Sequence, residues 1–210
     1  MNIYLIRHGE TDYNVQGIVQ GSGVDTDLND TGRTQAGFFY EKYKTVPFDI
    51  ALVSKLKRTW QTVQPFTERG LSQSIDARLN EINWGTHEGK KSTPESRIDY
   101  RRASTGWTNG NYNERTEQGE SAAELAERLT DFLTDLRTRT EKNILLATHG
   151  RTLRCLICLL KNEPISRMEQ YDHYNTGLVL AHYDAENGFA VSLENDIAHL
   201  PTYKRHDYGL

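Results

Sequence analysis

The chain of 210 residues is poor in everything that would commit it to a specialised environment. It has 2 cysteines, too few for a disulfide framework. They are Cys155 and Cys158, a C-x-x-C within the apolar stretch Leu153 to Leu160, where helical spacing sets both thiols on one face. No second Cys or His pair stands at zinc-ligand spacing, so a place in the core is expected for them and no metal is called for. Long apolar runs are missing too. Arg154 interrupts that same stretch, which falls well short of the roughly 20 residues a membrane span needs. The opening run Met1 to Arg7 is too short and lacks the basic leader of a signal peptide. The expectation is a cytoplasmic protein with no membrane partner.

Charge of one sign is not in excess either. With 25 Lys and Arg against 29 Asp and Glu, and a net charge of −4, the molecule offers no field that would gather nucleic acid. Any anion it binds must be met by local positive charge. There is no G-x-x-x-x-G-K-[ST] loop, which argues against a P-loop nucleotide enzyme.

What is present is an alternation of strand-like and helix-like segments. Ile3 to Ile6 is a short β-rich run that stops at Arg7-His8-Gly9, and a polar, glycine-rich loop follows from Val15 to Asp30. Thr31 to about Tyr43 reads as a helix and Asp49 to Val53 as a strand. Ser54 is a candidate N-cap for a helix over Lys55 to Arg69, with Trp60, Val63 and Phe66 on its buried face. From Ser121 to Arg139, Leu125, Leu129, Phe132, Leu133 and Leu136 mark an amphipathic helix. Ile144 to Thr148 is a buried strand that ends at His149-Gly150 and leads into another helix. Leu178 to Tyr183 and Phe189 to Leu193 are two late strands joined by the turn 185–188.

This order predicts an α/β fold: a three-layer αβα sandwich with a mostly parallel, doubly wound sheet. A single domain over 1–210 is expected. Between Gly89 and Gly119 the composition turns polar, and a short inserted cap or lid is expected at about 90–118, carrying the basic cluster Lys90, Lys91, Arg97, Arg101 and Arg102. In such sheets ligands bind beyond the carboxyl ends of strands, where the winding reverses. Arg7-His8-Gly9 and Thr148-His149-Gly150 would meet there if their strands are neighbours.

Arg7-His8-Gly9-Glu10-Thr11, followed by Asn14, resembles the signature of the histidine phosphatase superfamily, also called the phosphoglycerate mutase-like family. The resemblance runs on in order through Gly17-Ile18-Val19-Gln20-Gly21, Asp27-Leu28-Asn29-Asp30-Thr31-Gly32 and Ser54 to Thr62. It continues through Leu79 to Gly85, Glu88-Gly89, Gly119-Glu120-Ser121 and Ala147-Thr148-His149-Gly150, covering most of the chain. It implies a phosphohistidine enzyme without cofactor, acting on a small-molecule phosphate ester; a homo-oligomer is compatible with it.

The chemistry suits these residues. A phosphoryl group needs donors of fixed charge and fork geometry, here Arg7 and Arg58. A neutral imidazole can attack phosphorus and split one displacement into two, the role of His8. A second imidazole can bind a nonbridging oxygen, the role of His149. The resemblance gives proton transfer to Glu81, although Glu10, Glu88 and Glu120 are acids that spacing does not exclude. Asn14, Gln20, Gly21 and Gly150 are expected around the phosphate, and Arg101 and Arg102 at a more distant anionic group of the substrate. His87, His173, His182, His199 and His206 match no motif, and structural roles are expected for them. Tyr171 and Tyr174 are expected in packing, with a place at the pocket border as the alternative.

The family holds both phosphatases and mutases. Trp84, where glycolytic mutases usually carry tyrosine, and the short lid point to the phosphatase branch. Tyr100-Arg101-Arg102-Ala103-Ser104 resembles the arginine pair with which mutases grip a carboxylate and keeps that activity as the alternative. An inactive binding scaffold is disfavoured by the intact set His8, Arg7, Arg58, Glu81 and His149. Ile18 departs from the arginine common there, and the loop 22–25 lacks a tryptophan; both bear on the substrate.

Overall fold

The structure, a computed structural model, describes residues 1–201; His206 lies outside them. Its elements in chain order are β1 (Asn2–Arg7), α1 (Asp12–Gln16), α2 (Asp30–Tyr43), β2 (Ile50–Val53), α3 (Lys57–Thr67), β3 (Gln73–Ile75), α4 (Pro94–Thr108), α5 (Ala122–Leu136), β4 (Asn143–Thr148), α6 (Gly150–Leu160), β5 (Leu178–Asp184) and β6 (Gly188–Asp196).

Successive side chains of a strand leave the sheet on opposite faces, and here both faces are apolar. Ile3 and Leu5 of β1, Leu52 of β2 and Ile144 and Leu146 of β4 enter one core. Ile6, Ala51, Val53, Leu145 and Ala147 enter the other. A sheet buried on both sides needs a helical layer on each. α5 and α6 supply Leu125, Leu129, Leu153 and Leu156 to the first core, joined by Ala103 and Trp107 of α4. Phe39 of α2 and Val63 and Phe66 of α3 close the second. Each buried Val, Leu, Ile or Phe among them contributes about 1.5–3 kcal/mol.

The six strands run in the order β3-β2-β4-β1-β5-β6. β3, β2, β4 and β1 are parallel neighbours, and β5 and β6 join antiparallel at the edge. This is the expected mostly parallel αβα sandwich. β1 and β4 lie side by side with Arg7 opposite Thr148, so the two histidine-bearing strand ends meet. Cys155 and Cys158 are buried free thiols within α6. Among the described residues no helix is long and apolar enough to cross a membrane.

Three local features differ from the sequence reading. The helix after β2 begins at Lys57 with Leu56 in the cap position and no side-chain cap; the Ser54 hydroxyl accepts from the Leu56 amide at 3.1 Å and contacts His149 Nε2 at 2.8 Å and Thr59 Oγ1 at 3.0 Å. The loop after β1 starts with the short helix α1, closed by a reciprocal cap between Thr11 and Asn14. The polar stretch 90–118 contains the helix α4, which the composition conceals. Thr93 and Ser96 cap it reciprocally and Pro94 stands in its first turn, while Ala103 and Trp107 anchor it in the core.

Candidate active site

β1 delivers His8 one residue past its last paired position, and the His8 amide donates to the Thr148 carbonyl at 2.9 Å. The ladder thus continues far enough to bring the two imidazoles together, with ring centroids 5.2 Å apart. The Asn175 side-chain amide donates to the His8 carbonyl at 2.8 Å, and the Gly9 amide donates to Thr62 Oγ1 at 2.9 Å. The backbone that carries His8 is therefore held from three sides.

Hydrogen bonds fix the tautomers. His8 Nδ1 lies 2.7 Å from the Gly9 carbonyl oxygen; a carbonyl only accepts, so Nδ1 carries the proton and Nε2 keeps its lone pair. His149 is the reverse. Arg58 Nε donates to His149 Nδ1 at 3.1 Å, which leaves the proton on Nε2 for Ser54 Oγ. Burial holds both histidines well below the ordinary imidazole value, and the positive charges of Arg58 and Arg7 push His8 further down. Both rings are neutral at physiological pH.

Arg58 is completely buried, and its guanidinium also donates to the carbonyls of Val24 at 2.7 Å and Gly21 at 3.3 Å. Burial lowers it to about 10, opposed by the charges of Glu81 and Asp25, so it remains a cation. Arg7 Nη1 donates to the His173 carbonyl at 3.0 Å and lies 3.1 Å from His173 Nδ1. That contact makes Nδ1 an acceptor. Burial first, then Arg7 and Arg154, push His173 down to about 2. Gly150 permits the approach: a Cβ there would stand 3.0 Å from His173 Nε2.

Glu81 sits beneath the first turn of α6. Its Oε1 accepts from the amides of Ile82 and Thr152, each at 3.0 Å, and from Thr152 Oγ1 at 3.1 Å. Among the described residues Oε2 accepts only from the Arg151 amide, at 3.1 Å, so it is the oxygen with capacity for a proton. The other acids are committed elsewhere. Glu10 accepts from Asn29 Nδ2 at 2.8 Å, Glu88 braces the amides of Trp84 and Gly23, and Glu120 pairs with Arg128.

These groups face a cavity of about 370 Å³ lined by Arg7, His8, Tyr13, Asn14, Val15, Gly17, Ile18, Gln20, Glu81, Trp84, Tyr100, Gly150, Arg151, Arg154 and His173. Asn14 and Gln20 turn their carbonyl oxygens onto Thr11 Oγ1 at 3.1 and 3.0 Å; their amide nitrogens remain as donors. Of the expected site residues, Arg7, His8, Asn14, Gln20, Glu81 and Gly150 line the cavity. His149 and Arg58 stand directly behind His8, outside the wall. Gly21 stands behind Arg58 and is pressed against Glu88, whose Oε1 would lie 1.9 Å from a Cβ at that position.

Arg101 and Arg102 are not brought to the cavity. They project from the exposed side of α4, Arg101 toward the Arg97 carbonyl and Arg102 into ion pairs with Asp99 and Glu114. Tyr100, on the buried side of the same helix, takes the lining position. Sequence reasoning misses His173, Arg151 and Arg154. The signal for Arg154 is its place as the lone charge inside the apolar stretch Leu153 to Leu160; His173 has no local signal, because a loop distant in sequence carries it to Arg7. His87, His182 and His199 are hydrogen-bonded to Asp99, Asn2 and Thr176 respectively, as structural histidines would be. Neither Tyr171 nor Tyr174 lines the cavity.

A model of the histidine phosphatase superfamily (branch 1) matches residues 3–196. A Klebsiella pneumoniae protein named "Probable phosphoglycerate mutase GpmB" is 31% identical, over 95% of this chain and 95% of its own length. A Hydrogenobacter thermophilus protein named "Putative phosphoserine phosphatase 2" is 29% identical, over 94% of this chain and 96% of its own. The crystal structure of the alpha-ribazole phosphatase from Shigella flexneri superposes with a TM-score of 0.82 at 26% identity, covering 93% of this chain and 96% of that one.

Proposed function

The chain belongs to the histidine phosphatase superfamily, and within it we propose a phosphomonoesterase that hydrolyses a small phosphorylated metabolite through a phosphohistidine on His8. The observation that carries this reading is the state of His8: a neutral ring with its proton pinned on Nδ1 by the Gly9 carbonyl, and Nε2 unprotonated beside Arg7 and Glu81 in one cavity.

The phosphoryl group enters against Arg7, Asn14 and Gln20, whose N–H groups neutralise its oxygens. Arg58 and His149, buried behind His8, add positive charge and a fixed dipole that need no rearrangement as charge develops. His8 Nε2 attacks phosphorus as the bond to the leaving oxygen breaks. A proton on Glu81 Oε2 passes to that oxygen, and the alcohol departs. Water then attacks the phosphohistidine while the Glu81 carboxylate takes its proton, releasing phosphate and restoring His8.

Phosphoryl transfer to a second hydroxyl is the competing outcome, favoured by the likeness to GpmB. The arginine pair that spoke for it in the sequence, Arg101 and Arg102, lies outside the cavity. Incubation with 3-phosphoglycerate and a trace of its bisphosphate is expected to release inorganic phosphate; accumulation of 2-phosphoglycerate instead would replace hydrolysis by mutase activity. A general phosphate ester such as p-nitrophenyl phosphate is expected to be turned over by the parent and not by His8→Ala. Retained turnover in that variant removes His8 from the mechanism.

A further inference from the structure

Among the described residues the cavity is lined by three arginines and one acid, Glu81. Arg7 belongs with His8, which leaves Arg151 and Arg154 without a part in the chemistry. They are three residues apart at the start of α6 and so share one face of that helix.

Both are tied to one carboxylate. Arg151 Nη1 pairs with Glu169 Oε1, and Arg154 Nη1 pairs with Glu169 Oε2 at 2.9 Å. Arg151 is further fixed by the Tyr100 hydroxyl and by the rings of Trp84, Tyr100 and Trp107, whose centroids lie 5.9, 5.6 and 5.5 Å from its guanidinium carbon. Among the described residues Arg154 is held by Glu169 alone, its Nε buried without a hydrogen-bond partner. A buried guanidinium N–H left unpaired is costly, and this side chain borders a cavity. Glu169 neutralises one of the two cations, and the charges of Asp172 and Glu81 also act on them without forming an ion pair, so the pair retains at most one positive charge.

Resting on the phosphomonoesterase reading, we infer that Arg151 and Arg154 form a second anion subsite, in which Arg154 receives a singly charged carboxylate of the substrate while His8 receives its phosphoryl group. The guanidinium fork matches a carboxylate in two parallel hydrogen bonds. A second phosphate dianion would exceed the one uncompensated charge and be repelled by Glu169. The substrate class is then a phosphate ester of a hydroxy carboxylic acid. The anion specificity expected from the sequence at Arg101 and Arg102 is relocated from α4 to α6.

The test compares 3-phosphoglycerate with glycerol 3-phosphate, which lacks the carboxylate, and with propane-1,3-diol bisphosphate, which replaces it by a dianion. A hydrogen-bonded charge pair is worth about tenfold or more in affinity. The parent protein is expected to prefer 3-phosphoglycerate over both others by about that factor in kcat/KM, chiefly through KM. Arg154→Gln should bring the ratio to glycerol 3-phosphate near unity. Arg154→Lys, which keeps the charge and loses the fork, should retain part of it, as a folding defect would not. A ratio near unity in the parent, one unmoved by Arg154→Gln, or a preference for the bisphosphate overturns the subsite. If the parent turns over none of the three, it is hydrolysis that fails, and equilibrium binding of the same probes then judges the subsite. Tighter binding of 3-phosphoglycerate that Arg154→Gln abolishes upholds it, and equal binding of all three overturns it.

Discussion

Arg58 Nε donates to His149 Nδ1 at 3.1 Å, and that one bond decides what the second histidine can do. It makes Nδ1 an acceptor, puts the ring proton on Nε2 and sends it to Ser54 Oγ at 2.8 Å. A guanidinium, a neutral imidazole and a hydroxyl thus form a buried relay behind His8, with Thr59 Oγ1 at 3.0 Å from the same serine. Each member is positioned by the next.

Ser54→Ala removes the acceptor for that proton and leaves a buried N–H unpaired. The expected loss is about 1–3 kcal/mol of folding stability, read from the urea midpoint. A midpoint equal to that of the parent would mean that Ser54 does not hold the ring.

The neutral histidines give stability a pH dependence of known sign. His8, His149 and His173 are all depressed in the folded protein, His173 to about 2, against about 6.5 in an unfolded chain. Below that value the unfolded state takes up protons that the folded state refuses. Stability is therefore full above about pH 6.5 and falls on acidification, by up to about 1.4 kcal/mol per pH unit for each histidine. Urea titrations between about pH 7.5 and about pH 5 should show the decline, and His173→Asn should flatten it. A midpoint that rises on acidification contradicts the assigned neutral state.

Proton transfer by Glu81 predicts a dependence on the leaving group. Glu81→Gln is expected to slow an alkyl phosphate by about 10²–10⁴-fold. The loss in kcat/KM, which reports phosphoryl transfer to His8 and not the later hydrolysis, should be much smaller with p-nitrophenyl phosphate, whose leaving group needs no proton. Equal losses for both esters would reduce Glu81 to a structural brace for the first turn of α6.

Much of this architecture is legible in the residues. The continuous apolar runs at Ile3 to Ile6 and Ile144 to Thr148, each followed closely by His-Gly, foretell two strand ends that meet, because a strand apolar on both faces must lie inside a parallel sheet. Leu125, Leu129 and Leu136 foretell a buried helix face in the same way. The cavity wall is less legible. A wall residue is selected by which face of a helix turns inward, so Tyr100 and not its neighbours Arg101 and Arg102 enters; α4 is pinned by Trp107, whose indole N–H donates to the Glu114 carbonyl at 2.7 Å. His173 reaches Arg7 across 166 positions, a pairing that only the tertiary fold creates. Ser54 misleads as a cap because the helix starts only at Lys57, so its hydroxyl reaches the Leu56 amide before the helix and, across the fold, His149.

Gly150→Ala tests the contact between His173 and the cavity floor. A Cβ placed 3.0 Å from His173 Nε2 forces that ring to give way and shifts the Arg7 guanidinium bonded to it. KM for a phosphate ester should rise by about tenfold, the worth of one charged hydrogen bond, with little change in the urea midpoint. An unchanged KM would detach His173 from the positioning of Arg7.

The most direct test of the account is to trap the intermediate. A phosphate ester labelled in its phosphoryl group is mixed rapidly with the protein, quenched without acid and digested, and the label is located by mass spectrometry. The account predicts one phosphorylated residue, His8, formed within a single turnover and absent from His8→Ala. Label on any other residue, or turnover with no covalent label at all, contradicts it.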